Sequence, residues 1–168
     1  MYDYDKVDKF LEYSLEISKN KTKKEAFEIL TKEIEKVDEK YLNEYISGLI
    51  YLQYEYVLNW IEENKFRIKN VSQSWGQLAA SSKFNWIRAE NWILEGRPLS
   101  LVALDALVFC TTKHERLNQS PWMRELNPKL TNSESIEIIA QKLTKYAKND
   151  NVPRVKNKVK IIIENLFE

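Results

Sequence analysis

Pro98 and Pro153 each divide a polar helical pattern from an apolar one, and the 168-residue chain carries only three glycines and four prolines. Proline suits the first turn of a helix, where its missing N–H would have no partner anyway. With so few breakers, β-hairpins and long flexible loops have little room, and long helices become the expected element. Two helical hairpins follow. One runs over 83–112, with its break at Gly96-Arg97-Pro98. The other runs over 133–167, with its break at Asn149-Asp150-Asn151-Val152-Pro153.

The rest of the chain reads the same way. Val7, Phe10, Leu11, Leu15 and Ile17 mark an amphipathic helix over 4–18. Thr22 to Glu25 match a capping box and open a second helix, with Ala26, Ile29, Leu30, Ile34 and Val37 as its apolar stripe. Asp38 is placed to cap one long helix reaching about Phe66. Tyr41, Leu42, Tyr45, Ile46, Leu49, Leu52, Tyr56 and Trp60 line one side of it, while Tyr51, Tyr54 and Leu58 fall on another. A helix apolar on two sides is either sandwiched between neighbours or offers one side to a partner. A short helix is expected at 73–80. Phe84 to Glu95 form the next, stopped by Gly96. Pro98 to Thr112 are apolar nearly all round, which predicts a central buried helix. Residues 117–132, with two prolines, read as irregular. Thr131 to Glu134 form another capping box, and Ile136, Ile139, Leu143 and Tyr146 form the stripe of the helix after it. The expectation is one all-helical domain over 1–168, of about seven helices.

Val152-Pro153-Arg154-Val155, followed by Val159, Ile162 and Leu166, resembles a HEAT-type repeat, and the 83–112 hairpin is similar in plan. The resemblance implies antiparallel hairpins stacked into a curved α-solenoid that binds other molecules along an extended surface. Pro98 and Pro153 lie 55 residues apart, against a usual HEAT period of roughly 40–47. An irregular helical bundle is therefore the alternative architecture.

Charge divides the chain. Residues 1–67 hold 15 acids and 11 bases (net −4), and residues 68–168 hold 10 acids and 15 bases (net +5). The net charge of +1 argues against purely electrostatic nucleic-acid binding. A single cysteine, Cys110, rules out an internal disulfide and fits a reducing compartment. An acidic N-terminus without an apolar signal core, and no apolar run of about 20 residues, point to a soluble cytoplasmic protein away from membranes.

Few residues suggest chemistry. Glu90 falls on a helical wheel among Trp86, Ile87, Ile93 and Leu94, and Asp105 among Leu101, Val102, Phe109 and Thr112. Desolvated carboxylates must be paired, hydrogen-bonded or protonated. They are either an acid–base pair with separated pKa values or structural groups bound by Arg88, Arg97, Arg116 or a tyrosine. His114 stands four residues after Cys110. That spacing permits a thiol–imidazole pair, but a histidine near a helix end also serves the terminal carbonyls. No set of ligands suggests a metal, and no cofactor is expected.

Phe84, Arg88 and Trp92 share the wheel face opposite Glu90. Arginine beside tryptophan suits an interface anchor, or a stem lying over a neighbouring helix. Trp122, beside Met123, is a similar candidate, as are Tyr51 and Tyr54. Lys142, Lys145, Arg154, Lys156 and Lys160 belong to a basic C-terminal face, open to phosphates or an acidic protein or simply solvated.

The leading expectation is a non-enzymatic helical binding protein for a protein partner, of the kind a small bacterial immunity or antitoxin-like protein represents. The first alternative is a HEAT-like nucleic-acid-binding protein. Some HEAT-like proteins are DNA glycosylases that use aromatics, a carboxylate and arginines; Trp86, Trp92, Arg88 and Asp105 are the candidates here, although they align to no motif of that family. The second alternative is a small enzyme built on Glu90 and Asp105.

Overall fold

A computed structural model describes residues 4–69, 71–113, 129–130 and 134–168. These residues form nine α-helices with short 3-10 segments between some of them and no strand, so the all-α expectation holds. In chain order the helices are α1 (Tyr4–Asn20), α2 (Lys23–Glu35), α3 (Leu42–Tyr45), α4 (Tyr56–Glu63), α5 (Gln73–Ser81), α6 (Trp86–Glu95), α7 (Leu99–Thr111), α8 (Ile136–Lys148) and α9 (Pro153–Leu166). Among the described residues no helix is long and apolar enough to cross a membrane.

Local chemistry sets several helix ends. The Thr22 hydroxyl accepts a hydrogen bond from the Glu25 backbone N–H at 3.1 Å, satisfying one of the free donors of α2. Asn85 does the same for Arg88 at 2.8 Å. Gly96 takes a φ of +93°, which L side chains rarely adopt, and so ends α6 and frees the chain to start α7. Ser135 caps α8 by accepting from Ile138. The capping residues assigned above to Thr131–Ser133 lie outside the described residues.

The single helix expected over 38–66 is not formed. Asp38 does accept a hydrogen bond from the Lys40 N–H, but it caps only a 3-10 turn, Glu39–Tyr41. After α3, residues Ile46–Leu52 run as a second 3-10 segment, and Gln53 turns left-handed at φ +47° before α4 begins. Burial explains the break. Ile46, Gly48, Leu49, Ile50 and Leu52 are all buried, on more sides than one α-helical face can supply. The segment is wrapped by α1, α2 and α5. Gly48 lets α1 come in close: a side chain there would sit 2.8 Å from the Phe10 ring. Most apolar residues of this region are enclosed, as the sandwich reading expects, but Tyr51 and Tyr56 stay exposed and the helix itself is broken.

Packing is a relay. The 46–52 segment touches α5, α5 crosses α7, α7 touches α6 and α9, and α9 carries α8. As expected, α7 is the central helix, with Leu99, Ser100, Val102 to Leu107 and Cys110 buried. One apolar core runs from Ala26 to Ile162. Its largest members are tryptophans, and Trp60 stacks on Trp75 with ring centroids 6.1 Å apart. Three indole N–H groups reach acceptors on distant segments: Trp75 to Asn43 at 2.8 Å, Trp86 to Glu134 at 2.7 Å and Trp92 to Glu62 at 2.6 Å. A buried indole usually finds such a partner, and in these three it also joins distant segments, whereas the buried Trp60 N–H has none among the described residues.

At the α5–α7 crossing Gly76 faces Asp105 backbone to backbone. A methyl group on Gly76 would overlap the Asp105 Cβ and come within 3.0 Å of its carbonyl carbon and 3.1 Å of the Ala106 nitrogen. Backbone cannot swing aside as a side chain can. Gly76→Ala is therefore expected to destabilise the fold by about 1–3 kcal/mol, read from urea unfolding midpoints; an unchanged midpoint would place the crossing elsewhere.

Candidate functional site

Both sequence-flagged carboxylates carry ion pairs, and in both cases the partner is a lysine of the α8–α9 hairpin, not Arg88, Arg97 or a tyrosine. Asp105, 4% exposed on α7, is bonded through Oδ1 to Lys158 Nζ on α9. Lys158 lies on the side of α9 that packs towards α7, near the buried Val155 and Ile162. Glu90 is not sealed in the core. Its side chain is 31% exposed, at the edge of the buried arc of α6, and Lys142 of α8 binds it at 2.7 Å. Lys142 also holds Glu134 at 2.8 Å, and Glu134 accepts from the Trp86 indole. The result is a chain from Glu90 through Lys142 and Glu134 to Trp86. Hydrogen bonds from Lys142 and then Trp86 hold the Glu134 carboxyl below its ordinary value. The same pairing, first with Glu134 and then with Glu90, raises the Lys142 ammonium.

A third link joins the two turns. Arg97 lies 3.3 Å from Asp150, whose carboxyl also accepts from the Val152 backbone N–H at 2.9 Å. The Val152 bond and then Arg97 lower its pKa. These charges clamp the α6–α7 hairpin to the α8–α9 hairpin.

Removing one member of the buried pair strands the other. Lys158→Met leaves Asp105 desolvated without its cation and is expected to cost about 3–5 kcal/mol of unfolding free energy. Adding Asp105→Asn should recover much of that loss. A Lys158→Met protein as stable as the parent would contradict the pairing.

The anchor expected from Phe84, Arg88 and Trp92 faces inward. Phe84 and Trp92 are 0% and 1% exposed, with ring centroids 5.4 Å apart. Arg88 lies over α4, bonded to Glu62 at 2.7 Å and Asn59 at 3.0 Å, and Glu62 also accepts from Trp92. The apolar side of α6 left to solvent is instead Ile87 and Leu94, 57% and 79% exposed. Trp86, a candidate under the nucleic-acid alternative, is 2% exposed in the core.

Cys110 is buried, and burial pushes its thiol up to about 12, so it sits as a neutral, unreactive group. His114, Arg116, Trp122 and Met123 lie outside the described residues. Among the described residues no cluster of three histidine, cysteine or acidic side chains is placed to hold a metal ion.

Tyr51 and Tyr54 part company. Tyr51 is 41% exposed and lines a groove of ≈ 420 Å³ with Leu11, Glu12, Leu15, Ser47 and Ile50. Tyr54 is half-buried against Phe27 and Tyr56, with centroids 5.5 and 5.0 Å away. Of the basic face, Lys142 is spent on internal pairs, while Lys145, Arg154, Lys156 and Lys160 are exposed. Lys156 and Lys160 flank a shallow groove of ≈ 370 Å³ between α8 and α9. A further groove of ≈ 340 Å³ opens between α6 and α8, lined by Trp86, Ile93, Leu94, Leu143, Lys145 and Tyr146 among others.

The signal that sequence reasoning missed was Lys158, three residues after Val155 and four before Ile162, on the very stripe assigned to the core. No family model, curated protein or solved structure matches this chain.

Proposed function

We propose that this chain is a non-enzymatic helical binding protein whose partner is another protein, engaged through the Tyr51 groove of the acidic N-terminal half. The observation that carries this reading is the groove itself. Leu11, Leu15, Ile50 and a partly exposed tyrosine form an apolar seat, with Glu12 at its edge. Tyrosine is favoured at interfaces because one ring supplies a large apolar surface and a hydroxyl at little entropic cost. The carboxylates that could have supplied acid–base chemistry are engaged in ion pairs, which favours a structural role for them. A net charge of −4 over residues 1–67 suits a basic partner and would speed encounter.

The two C-terminal hairpins, with α7 against α9, support a reading as two stacked HEAT-like units, the scaffold behind the binding surface. A small cytoplasmic immunity or antitoxin-like inhibitor, covering a basic toxin, is one biological form that such a protein would take.

Affinity capture from the source cells, comparing the parent with Tyr51→Ala and Lys156→Glu, tests the reading. One stoichiometric protein should be recovered by the parent and by Lys156→Glu, and bound about tenfold more weakly by Tyr51→Ala. Recovery of nucleic acid, lost at high salt and abolished by Lys156→Glu, would overturn it in favour of the basic face.

A further inference from the structure

We infer that the Tyr51 groove takes an amphipathic helix of the partner protein, and that this helix is basic along the flank facing α1. The inference rests on the protein-binding reading above and names what the partner presents there.

The groove has two unlike walls. Leu11, Glu12 and Leu15 of α1 line one, and Ile50 and Tyr51 line the other. The walls run in the same direction: Phe10 stacks on Tyr45 with ring centroids 4.7 Å apart, and Gly48 lies against Ser14. Both are helical, so their backbone N–H and C=O groups point along their own axes and neither wall offers an open strand edge. An extended peptide would find no main-chain partners in such a groove. A helix satisfies its backbone internally and brings only side chains, spaced i, i+3, i+4 and i+7, to an apolar seat.

Charge then selects the flank. On α1, Asp8, Glu12 and Glu16 follow at four-residue spacing, which lines them up along the helix beside Leu11 and Leu15. All three are exposed, and none forms an ion pair with the described residues. The bases of α1 lie elsewhere. Lys6 and Lys9 are on its far side, Lys9 bound to Asp5 at 3.0 Å, and Lys19 stands beyond the row in the last turn. The opposite wall carries no charged side chain from Ile46 to Leu52. Glu44 precedes it at the Asp8 end, and Lys23, bonded to the Gln53 carbonyl, lies beyond it at the Lys19 end. The edges thus hold carboxylates at Asp8, Glu12, Glu16 and Glu44 against ammoniums at Lys19 and Lys23, both at one end. A helix in the groove meets carboxylates along one flank and uncharged groups along the other. Lysine or arginine on the α1 flank satisfies that row while its stem covers Leu11 and Leu15. An acidic flank meets like charge and is rejected.

The probes are three acetylated, amidated peptides of about 15 residues: an amphipathic leucine–lysine helix, its leucine–glutamate counterpart, and a scrambled leucine–lysine sequence with no apolar face. Each is fluorescently labelled and titrated against the full chain by anisotropy. The lysine helix should bind about tenfold more tightly than the other two, shifting the ¹⁵N resonances of Leu11, Leu15 and Tyr51. Glu12→Lys, an exposed change, and Tyr51→Ala should each weaken it about tenfold. Glu164→Lys, exposed on α9, alters net charge by the same amount and should leave binding unchanged. Equal binding of the lysine and glutamate helices, both lost in Tyr51→Ala, would overturn the inference and leave the groove a protein site. Equal binding of the scrambled peptide, or equal weakening by Glu164→Lys, would overturn it as unspecific charge attraction. Failure of either helix to bind below about 1 mM would overturn it too, whereas the protein-binding reading itself stands or falls on the capture experiment.

Discussion

The architecture depends on the place where α5 and α7 cross backbone to backbone at Gly76 and Asp105. A glycine allows the approach, and the approach puts Asp105 inside the protein. A carboxylate there cannot be left alone, because desolvating its charge costs several kcal/mol, roughly. Lys158 of α9 supplies the cation. The geometric choice on one side of α7 thus determines what must pack on its other side. Through α5 the crossing reaches the 46–52 segment and the N-terminal helices; through Lys158 it reaches α9 and α8. The last hairpin is joined to the rest by charges as well as by apolar contact, with Glu90–Lys142 and Arg97–Asp150 as outer links.

This placement separates structure from function. Asp105 and Glu90 are paired with lysines, Arg88 is paired with Glu62, and Cys110 is a buried neutral thiol. Outward, the described residues offer a tyrosine-edged groove near the acidic end, a second groove between α6 and α8, and the exposed basic face of the last hairpin.

Much of the fold was legible because its signals are local. Gly96 with Pro98, Pro153 and the Thr22 cap act within a few residues, so the hairpin turns and some helix ends can be read directly, whereas the Asn85 and Ser135 caps were not read. The apolar character of 99–109 likewise leaves no place for α7 but the centre. The 38–66 stretch was misread because its apolar pattern suits an α-helix, whereas three neighbours enclose it from several sides and favour 3-10 turns and a left-handed Gln53. The face of α6 was misjudged for a related reason. Trp86, Ala89, Trp92 and Ile93 are buried, which puts Glu90 and Arg88 on opposite edges of one arc, and turns Ile87 and Leu94 outward. A wheel gives relative angles, and only tertiary packing says which arc is covered. The grooves were illegible for the same reason, since they are gaps between elements distant in sequence.

Native-state hydrogen exchange of the α7 amides tests the central claim most directly. If α7 is the hub to which both halves are tied, the amides from Val102 to Leu107 exchange only through global unfolding, with protection equal to the free energy measured by urea. Exchange of those amides through a local opening, well below the global free energy and below α1, would contradict the account.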